Sequence, residues 1–397
     1  MNGAPLNYAH KSCNRPANGR EVSGGSIDLA SLPWLGYWDA EDIQGVNDSS
    51  IVSWESRYGG PSLTQSTAVS QPSLLGEGLR LTGTDGNYVE LPDPNDEYIL
   101  TPNSLVSIEG EFSYNGVNGT LLGKYDFTVG ALRSWWATQQ GPSRIRIVVS
   151  SNGGYSFSND VRLNYGWDED THTFEAVRED GQVAVYVDSV RRGISSLSEP
   201  TATLPSFSSG SSLLIGAVNT PDPRNLLRGY VNRLKVYKDG STPSEGTLIL
   251  DTGDFSKQDP NTTSLATKVG GQMELRQSSS SGARICPKKM VYFDGADDYL
   301  LGQLDLSQGV QFIAWGRDHN GDGRLIMVSG EEASQAAQGL AFIDPATGEL
   351  SLGKTGPFAH GHFDLGLLAA LPASVSSEDV VKIANKIVEE KSITLSA

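Results

Sequence analysis

One long segment of this sequence occurs twice, and the duplication limits the folds that the chain can adopt. The copies span residues 38–91 and 250–300. Three pairs of landmarks keep offsets of 212, 211 and 211 residues: Asp39 and Asp251, Gly59 and Gly270, Tyr88 and Tyr299. A repeat of this length predicts a duplicated domain rather than a short solenoid unit.

Length and charge narrow the classes of protein further. A chain of 397 residues predicts two domains, in agreement with the repeat. The formal net charge is -17, and an acidic surface repels phosphate backbones, so we expect no nucleic-acid partner. There is no run of 18 apolar residues, which predicts no membrane span. We find no apolar core of a secretory signal at the N-terminus and expect a chain made in the cytoplasm.

Two cysteines, Cys13 and Cys286, lie far apart in the sequence. A disulfide-built secreted domain uses more cysteines, and a zinc site places them closer together. Two alternatives remain open: two free thiols, or one bridge between the N-terminal arm and the second domain.

The N-terminal segment 1–33 has no apolar periodicity and is rich in Gly, Asn, Ser and Pro. Such a segment does not fold alone. Its formal charge is +1, from Lys11, Arg15 and Arg20 against Glu21 and Asp28, whereas the rest of the chain is strongly acidic. We therefore predict an extended arm that docks on another subunit.

Short alternating segments between turn signals dominate residues 34–240. Val106, Ile108 and Phe112 fall on one face of such a segment, and Ser107, Glu109 and Glu111 fall on the other. A period of two residues is typical of strands with one buried face. The pattern predicts an antiparallel β-sandwich in which Glu109 and Glu111 are solvated.

Several motifs in this region resemble the LamG-like jelly rolls of the concanavalin A-like superfamily. They are the Asp-rich opening at 38–43, a strand closing on Trp54, a Gly pair, and a Gly-Thr-Asp-Gly-Asn-Tyr segment ending at Tyr88. The stretch 172–188 is similar to the family's hairpin, with Ser189 where the family usually has Gly. The resemblance implies two packed antiparallel sheets. Trp38, Trp54 and Tyr88 lie in the duplicated frame, and we expect them to pack in the core.

The fold class predicted from these features is all-β: two antiparallel jelly-roll β-sandwiches in tandem, an extended N-terminal arm and one C-terminal helix. The predicted bounds are an arm at 1–33, a first jelly roll at 34–240, a linker at 241–246 and a shortened second jelly roll at 247–397. The helix is expected at 378–390, capped by Ser376 or Ser377 and buried through Val380, Ile383, Ala384 and Ile387.

Two functional signatures are present only in appearance. Residues 348–355 match the P-loop pattern, but Leu350 and Leu352 alternate as in a strand, and Pro357 disfavours a following helix. Laminarinase-like glycosidases of the superfamily place catalytic acids on one strand as E-x-D-x-x-E. Glu109 and Glu111 match the first two positions only in part, and Tyr114 replaces the last acid. We predict no catalytic residue and no nucleotide cofactor.

The segment 318–323 resembles the first half of a calcium loop. Asp318, Asn320 and Asp322 supply oxygen at alternate positions before a glycine, but Ser329 stands where the bidentate acid belongs. A charged hairpin tip explains the same residues. The hypothesis is a weak calcium site, and no other cofactor is expected.

Trp135 and Trp136 are the candidate ligand or interface residues. Adjacent strand residues point to opposite faces, so one ring is expected in the core and the other at the surface.

The resemblance also suggests a role. Tandem LamG-like domains without a signal peptide occur in phage structural proteins, which implies a non-enzymatic virion component, in capsid decoration, tail or fibre. The implied partners are other virion proteins, a homo-oligomer and a surface glycan. A carbohydrate-binding adhesin is one alternative, and a glycoside hydrolase is another.

Overall fold

The protein is described by a computed structural model covering residues 27–391 with internal gaps. Outside the described residues lie 1–26, 46, 85–86, 114–117, 127–132, 142–143, 154–157, 163–169, 198–201, 219–224, 259–263, 277–283, 287, 295, 306, 308, 319–324, 331–340, 344–348, 353, 357–358, 361 and 392–397.

The first half of the chain forms strands between single turns of 3-10 helix at Leu29–Ser31, Ala40–Asp42 and Ala68–Ser70. The strands are β1 (Gly36–Asp39), β2 (Ser53–Trp54), β3 (Leu63–Thr64), β4 (Ser73–Leu75), β5 (Gly78–Thr82), β6 (Tyr88–Leu91), β7 (Ser104–Ser113), β8 (Gly119–Tyr125), β9 (Arg133–Gln139), β10 (Arg144–Gly153), β11 (Ser158–Arg162), β12 (His172–Glu179), β13 (Gln182–Val187), β14 (Val190–Ser196), β15 (Leu213–Ile215) and β16 (Arg228–Lys238).

The second half repeats this succession in a shorter form, with a 3-10 turn at Phe255–Lys257 and an α-helix, α1, at Ser377–Glu390. Its strands are β17 (Thr247–Asp251), β18 (Ser264–Ala266), β19 (Gln272–Arg276), β20 (Arg284–Cys286), β21 (Met290–Asp294), β22 (Leu300–Gln303), β23 (Val310–Asp318), β24 (Leu325–Gly330), β25 (Ala341–Ile343), β26 (Glu349–Leu352), β27 (Lys354–Gly356), β28 (Ala359–His360) and β29 (His362–Pro372).

The strands build two antiparallel sandwiches, which confirms the predicted fold class. We call the sandwich of sheets A and B the outer sandwich and the sandwich of sheets C and D the inner sandwich. In the outer sandwich, sheet A has the order β24-β23-β29-β21-β4 with β1 beside β29, and it faces sheet B, β2-β3-β22-β26-β25. In the inner sandwich, sheet C has the order β14-β13-β12-β7-β16-β5-β20 with β17 beside β16, and it faces sheet D, β11-β10-β9-β8-β15-β6-β19-β18. β27 and β28 pair with each other.

The predicted division into tandem sandwiches is wrong, because each sandwich takes strands from both halves of the chain. β1 pairs with β29 and β4 pairs with β21, so residues 36–75 complete the outer sandwich. β17 pairs with β16 and β20 pairs with β5, so residues 247–286 complete the inner one. The predicted linker, 241–246, instead connects two neighbouring strands of sheet C.

The exchange is reciprocal and follows the sequence repeat. In the inner sandwich Ile285 of β20 lies opposite Leu79 of β5. In the outer sandwich Leu74 of β4 lies opposite Val291 of β21. Leu74 and Ile285 are 211 residues apart, and Leu79 and Val291 are 212 apart. β20 therefore occupies, beside β5, the place that β4 would take in a hairpin with β5.

Both cores depend on the exchanged segments. The inner core includes six buried apolar residues from the second half: Leu250, Phe255, Leu265, Met273, Leu275 and Ile285. The outer core includes Trp38 and Trp54, both completely buried, from the first half. Tyr88 is also buried. The core positions predicted for Trp38 and Trp54 are confirmed, and Tyr88 is buried in a small separate cluster with Leu214 and Ala217.

Helix α1 packs on the face of sheet A that points away from sheet B. Ser376 caps it by accepting a hydrogen bond from the Asp379 N–H, and the predicted stripe of Val380, Ile383, Ala384 and Ile387 is buried. Leu29 and Trp34 are buried in the same cluster, so the arm predicted at 1–33 is too long: residues 27–33 belong to the folded body. The described residues hold no helix that is long and apolar enough to span a membrane.

Candidate functional site

The side of sheet C that faces away from the core carries a row of four polar side chains, called here the polar row: Tyr186, Glu175, Ser107 and Lys235. Strand register places Tyr186 opposite Glu175, Glu175 opposite Ser107, and Ser107 opposite Lys235. These four residues are half-buried, and they alternate with buried residues such as Phe174 and Val185 that fill the core. The pleat of the strands therefore turns all four toward solvent.

A second row follows on the same face, one pleat further along the strands. Thr173 lies opposite Glu109, and Glu109 lies opposite Arg233. Arg233 binds Asp251 through both carboxylate oxygens, with Nε–Oδ1 and Nη2–Oδ2 distances of 3.0 and 2.6 Å. A bidentate pair of this kind fixes the guanidinium plane. The face thus combines held charges, hydroxyl groups and the half-buried ring of Tyr186.

Asp251, one of the repeat landmarks, is kept ionised at this face. Burial opposes its ionisation, but the hydrogen bonds from Arg233 and from the Gly253 N–H outweigh burial and hold the pKa of Asp251 below its usual range. The hydrogen bonds that Arg233 donates to Asp251 raise the pKa of Arg233. Charge on both groups is therefore stable at neutral pH.

A tight turn at residues 188–189 flanks the two rows. His172 Nδ1 and Asp188 Oδ2 are 2.6 Å apart, and Asp188 also accepts a hydrogen bond from the Thr173 N–H at 3.0 Å. Asp188 and Ser189 have φ values of 51° and 63°. Positive φ at both central residues is a geometry that favours glycine. Glycine is also the residue usual at the position of Ser189 in the family that the sequence resembles.

The two strand acids have different environments. Glu109 is exposed, as predicted. Glu111 is 5% exposed, and its Oε2 accepts a hydrogen bond from Asn47 Nδ2 at 2.5 Å, so the prediction that it is solvated is wrong. The cause is the loop around Asn47, which belongs to the outer sandwich and covers this end of β7. Glu111 is a contact between sandwiches.

Both candidate tryptophans are buried. Trp135 lies in the inner core, and its Nε1 donates to the Tyr98 carbonyl at 2.8 Å. Trp136 points to the opposite face, as predicted, but is 4% exposed beneath Tyr125 and Val148 and donates to Thr120 Oγ1. A ligand or interface role for the pair stays a prediction, although neither ring presents an open stacking face.

The proposed calcium ligands are mostly beyond the described residues. Asn320 and Asp322 lie outside them, and Asp318 is described only as the last residue of β23. No group of three or more His, Cys, Asp or Glu residues with metal-binding geometry occurs in the part of the chain that the structure describes. The calcium site stays a prediction. Leu350 and Leu352 lie in strand β26, as their alternation predicts.

A buried ammonium, not recognised from the sequence, joins two loops beside sheet D. Lys124 is completely buried, and its Nζ lies 2.8 Å from Asp93 Oδ2 and 2.8 Å from Asp96 Oδ1. It also donates to the Ser211 carbonyl. The carboxylates and the carbonyl oxygen compensate for the burial of the ammonium, which in turn holds the two loops together. In the sequence, this ion cluster is indicated only by an isolated lysine within an otherwise buried strand.

The thiol of Cys286 is free and buried, and burial raises its pKa. Cys13 lies outside the described residues.

No protein-family profile and no curated protein matches the chain. Solved structures with a related fold include a putative carbohydrate binding protein from Bacteroides ovatus, at 12% identity, TM-score 0.37, covering 59% of this chain and 69% of that chain. The CBM40 of a Ruminococcus gnavus IT-sialidase is 11% identical, with a TM-score of 0.35, and the match covers 43% of this chain and 94% of that chain. A heptameric SAP-like pentraxin from Limulus polyphemus is 12% identical, with a TM-score of 0.33, and the match covers 42% of this chain and 77% of that chain. At these identities and TM-scores, no ligand or activity is transferred to this chain.

Proposed function

We propose that the protein is a non-enzymatic carbohydrate-binding β-sandwich protein whose glycan contacts lie on the polar row of sheet C. The observation that carries the proposal is the register that sets Tyr186, Glu175, Ser107 and Lys235 side by side. A sugar ring offers an apolar C–H face to an aromatic ring and hydroxyl groups to charged or hydroxyl side chains. The polar row supplies both kinds of partner.

The dimensions of the row favour an extended ligand. Neighbouring strands are about 4.8 Å apart, so Tyr186 and Lys235, three strands apart, are separated by about 14 Å. A row of that length fits an oligosaccharide better than a single sugar. The mixed charges of Glu175 and Lys235 favour a neutral or zwitterionic glycan over a polyanion.

A glycan array tests the binding proposal directly. The wild type is expected to bind a defined set of oligosaccharides, and Tyr186→Ala to lose at least tenfold in affinity, because it removes the aromatic contact. Glu274→Gln changes an exposed acid on sheet D and serves as the matched control, with unchanged binding. Absence of any glycan ligand, or binding that survives Tyr186→Ala undiminished, would contradict the proposal.

The non-enzymatic part of the proposal rests on the acids of β7. Retaining hydrolysis needs a nucleophile and a proton donor that both reach the substrate. Glu111 is instead buried against Asn47 in the contact between the sandwiches. Glu111→Gln is expected to leave the turnover of polysaccharides unchanged. Turnover of a β-glucan by the purified wild type that disappears in this variant would show that the protein is an enzyme.

The second candidate function is a structural role in a bacteriophage virion. It is supported by the sequence resemblance and by one structural observation, the reciprocal exchange of strands, which joins both sandwiches into a single body suited to display on a particle. In this role residues 1–26 are the assembly element, other virion proteins or copies of the chain are the partners, and the protein is located in the virion.

Mass spectrometry of purified virions, combined with a deletion, tests the structural role. The chain without residues 1–26 is expected to keep the melting profile of the wild type, because it retains Ile27, Leu29 and Trp34, which pack in the cluster around helix α1. It is expected to be lost from particles that incorporate the full chain. Equal incorporation of the truncated chain would show that the N-terminal segment is not the assembly element.

A further inference from the structure

Neither half of the chain contains all the strands of a sandwich. The first half supplies β5 to β16 to the inner sandwich and β1 to β4 to the outer one. The second half supplies β17 to β20 to the inner sandwich and β21 to β26 and β29 to the outer one. We infer that the halves, 1–244 and 245–397, are mutual binding partners that stay together without a covalent link.

Each half alone contains incomplete sandwiches, and the strands that complete them come from the other half. Removing the second half would uncover β5 and β16 in sheet C and β6 in sheet D, which are the partners of β20, β17 and β19. It would also uncover the inner core around Phe255 and Ile285, both completely buried. Unpaired strand edges above an exposed core bind the segment that completes them.

Core volume makes the pairing specific to the other half. The equivalent of Trp38 in the repeat is Leu250, because the Asp residues that follow them are the matched landmarks. Trp38 and Leu250 are each completely buried in their own sandwich. A core built around an indole is left with a cavity by leucine, and a core built around leucine is overfilled by an indole. Two identical halves therefore pair less well than two different halves.

Buried charges join the two sandwiches within the second half. Asp364 of β29 is completely buried, 3.3 Å from Arg284 Nη2 and 3.6 Å from Arg317 Nη1. Arg317 also donates to the Ile285 carbonyl at 3.0 Å. Arg284 and Ile285 lie in the inner sandwich, whereas Asp364 and Arg317 lie in the outer one. The ion pairs thus tie the two sandwiches to each other.

The connection at 241–246 is the place to test the inference on the full chain. Ser244 and Glu245 are exposed in the turn between β16 and β17, so a protease site inserted between them disturbs no buried contact. The folded protein is cleaved there and measured by native mass spectrometry and circular dichroism. We expect one complex of both fragments, with an unchanged spectrum.

Separation in denaturant then distinguishes exchange from simple adhesion. Refolded alone, each fragment is expected to lack a cooperative thermal transition, and mixing the fragments is expected to restore the transition of the cleaved protein. A folded monomer with its own cooperative transition from either fragment would overturn the inference. So would fragments that separate on cleavage without denaturant. Neither outcome depends on glycan binding.

Discussion

Arg80 and Asp48 form an ion pair across the boundary between the two sandwiches. Arg80 lies in β5 of the inner sandwich, and its Nη2 is 3.1 Å from Oδ1 of Asp48, in the loop between β1 and β2 of the outer one. Tyr230 OH also donates to Asp48, at 3.0 Å. Burial, reinforced by the Asp48 carboxylate, raises the pKa of Tyr230, so its hydroxyl stays protonated and able to donate. Asp48 thus joins the sandwiches.

Asp48→Asn is expected to lower the free energy of unfolding by about 3 kcal/mol, because it leaves the guanidinium of Arg80 buried without its counter-ion. Asp48 has a φ of 62°, which asparagine tolerates, so the backbone is undisturbed and the loss reports the charge. Denaturant unfolding measures the change, with exposed Glu245→Gln as the control. A loss below about 0.5 kcal/mol would show that the pair contributes little.

Ser189→Gly is expected to stabilise the protein by about 0.5 kcal/mol. The strain of a left-handed serine, about 1 kcal/mol, is relieved, and the greater freedom of glycine in the unfolded chain offsets part of the gain. Ser189→Val at the same φ of 63° is expected to destabilise it. Thermal melts of the three proteins give the order Gly, Ser, Val. Equal melting temperatures would contradict the strain.

Asp251 is expected to contribute to the acid dependence of stability. Its pKa is lower in the folded than in the unfolded chain, where a typical aspartate has a pKa of about 3.9. Its contribution is therefore fully present above that value and is lost as pH falls through the lower, folded pKa. The difference in unfolding free energy between wild type and Asp251→Asn should be constant from about pH 5 to 8 and shrink below about pH 4. A difference independent of pH throughout would rule out this linkage; Glu97→Gln is the control.

Calcium at millimolar concentration is expected to raise the melting temperature of the wild type and not that of Asp322→Ala. The reason is the alternate spacing of Asp318, Asn320 and Asp322, which presents three oxygen ligands from one loop. Magnesium, which prefers a smaller and stricter octahedral shell, is the control ion. The absence of any calcium-dependent shift in the wild type would end the hypothesis.

The elements of this fold were largely predictable, because alternation and capping are local signals. Trp38 and Trp54 were expected in a core, and both are completely buried. The helix and its Ser376 cap lie where the sequence indicates. The exchange was not predictable, since the pattern of a strand such as β4 is the same whether it pairs with its own half or the other. Strand pairing is decided by contacts more than 200 residues apart.

The site was less accessible from the sequence for a related reason. Tyr186, Glu175 and Lys235 each appear as polar positions of separate strands, and only the register brings them together. Glu111 has the same sequence signature as Glu109, yet a loop from the other sandwich buries it. Alternation tells which residues leave the core, but it does not tell which of them meet solvent.

Disulfide trapping tests the exchange of strands most directly. In a Cys13→Ser, Cys286→Ser background, Ser73→Cys is combined either with Tyr292→Cys, at its observed partner, or with Arg80→Cys, at its partner in an unexchanged hairpin. Opposite Cα atoms of antiparallel strands are about 4.5–5.5 Å apart, within the reach of a disulfide. The exchanged fold predicts that, under mild oxidation, the monomer of the first variant forms its engineered disulfide and the monomer of the second variant does not. The reverse result would contradict it.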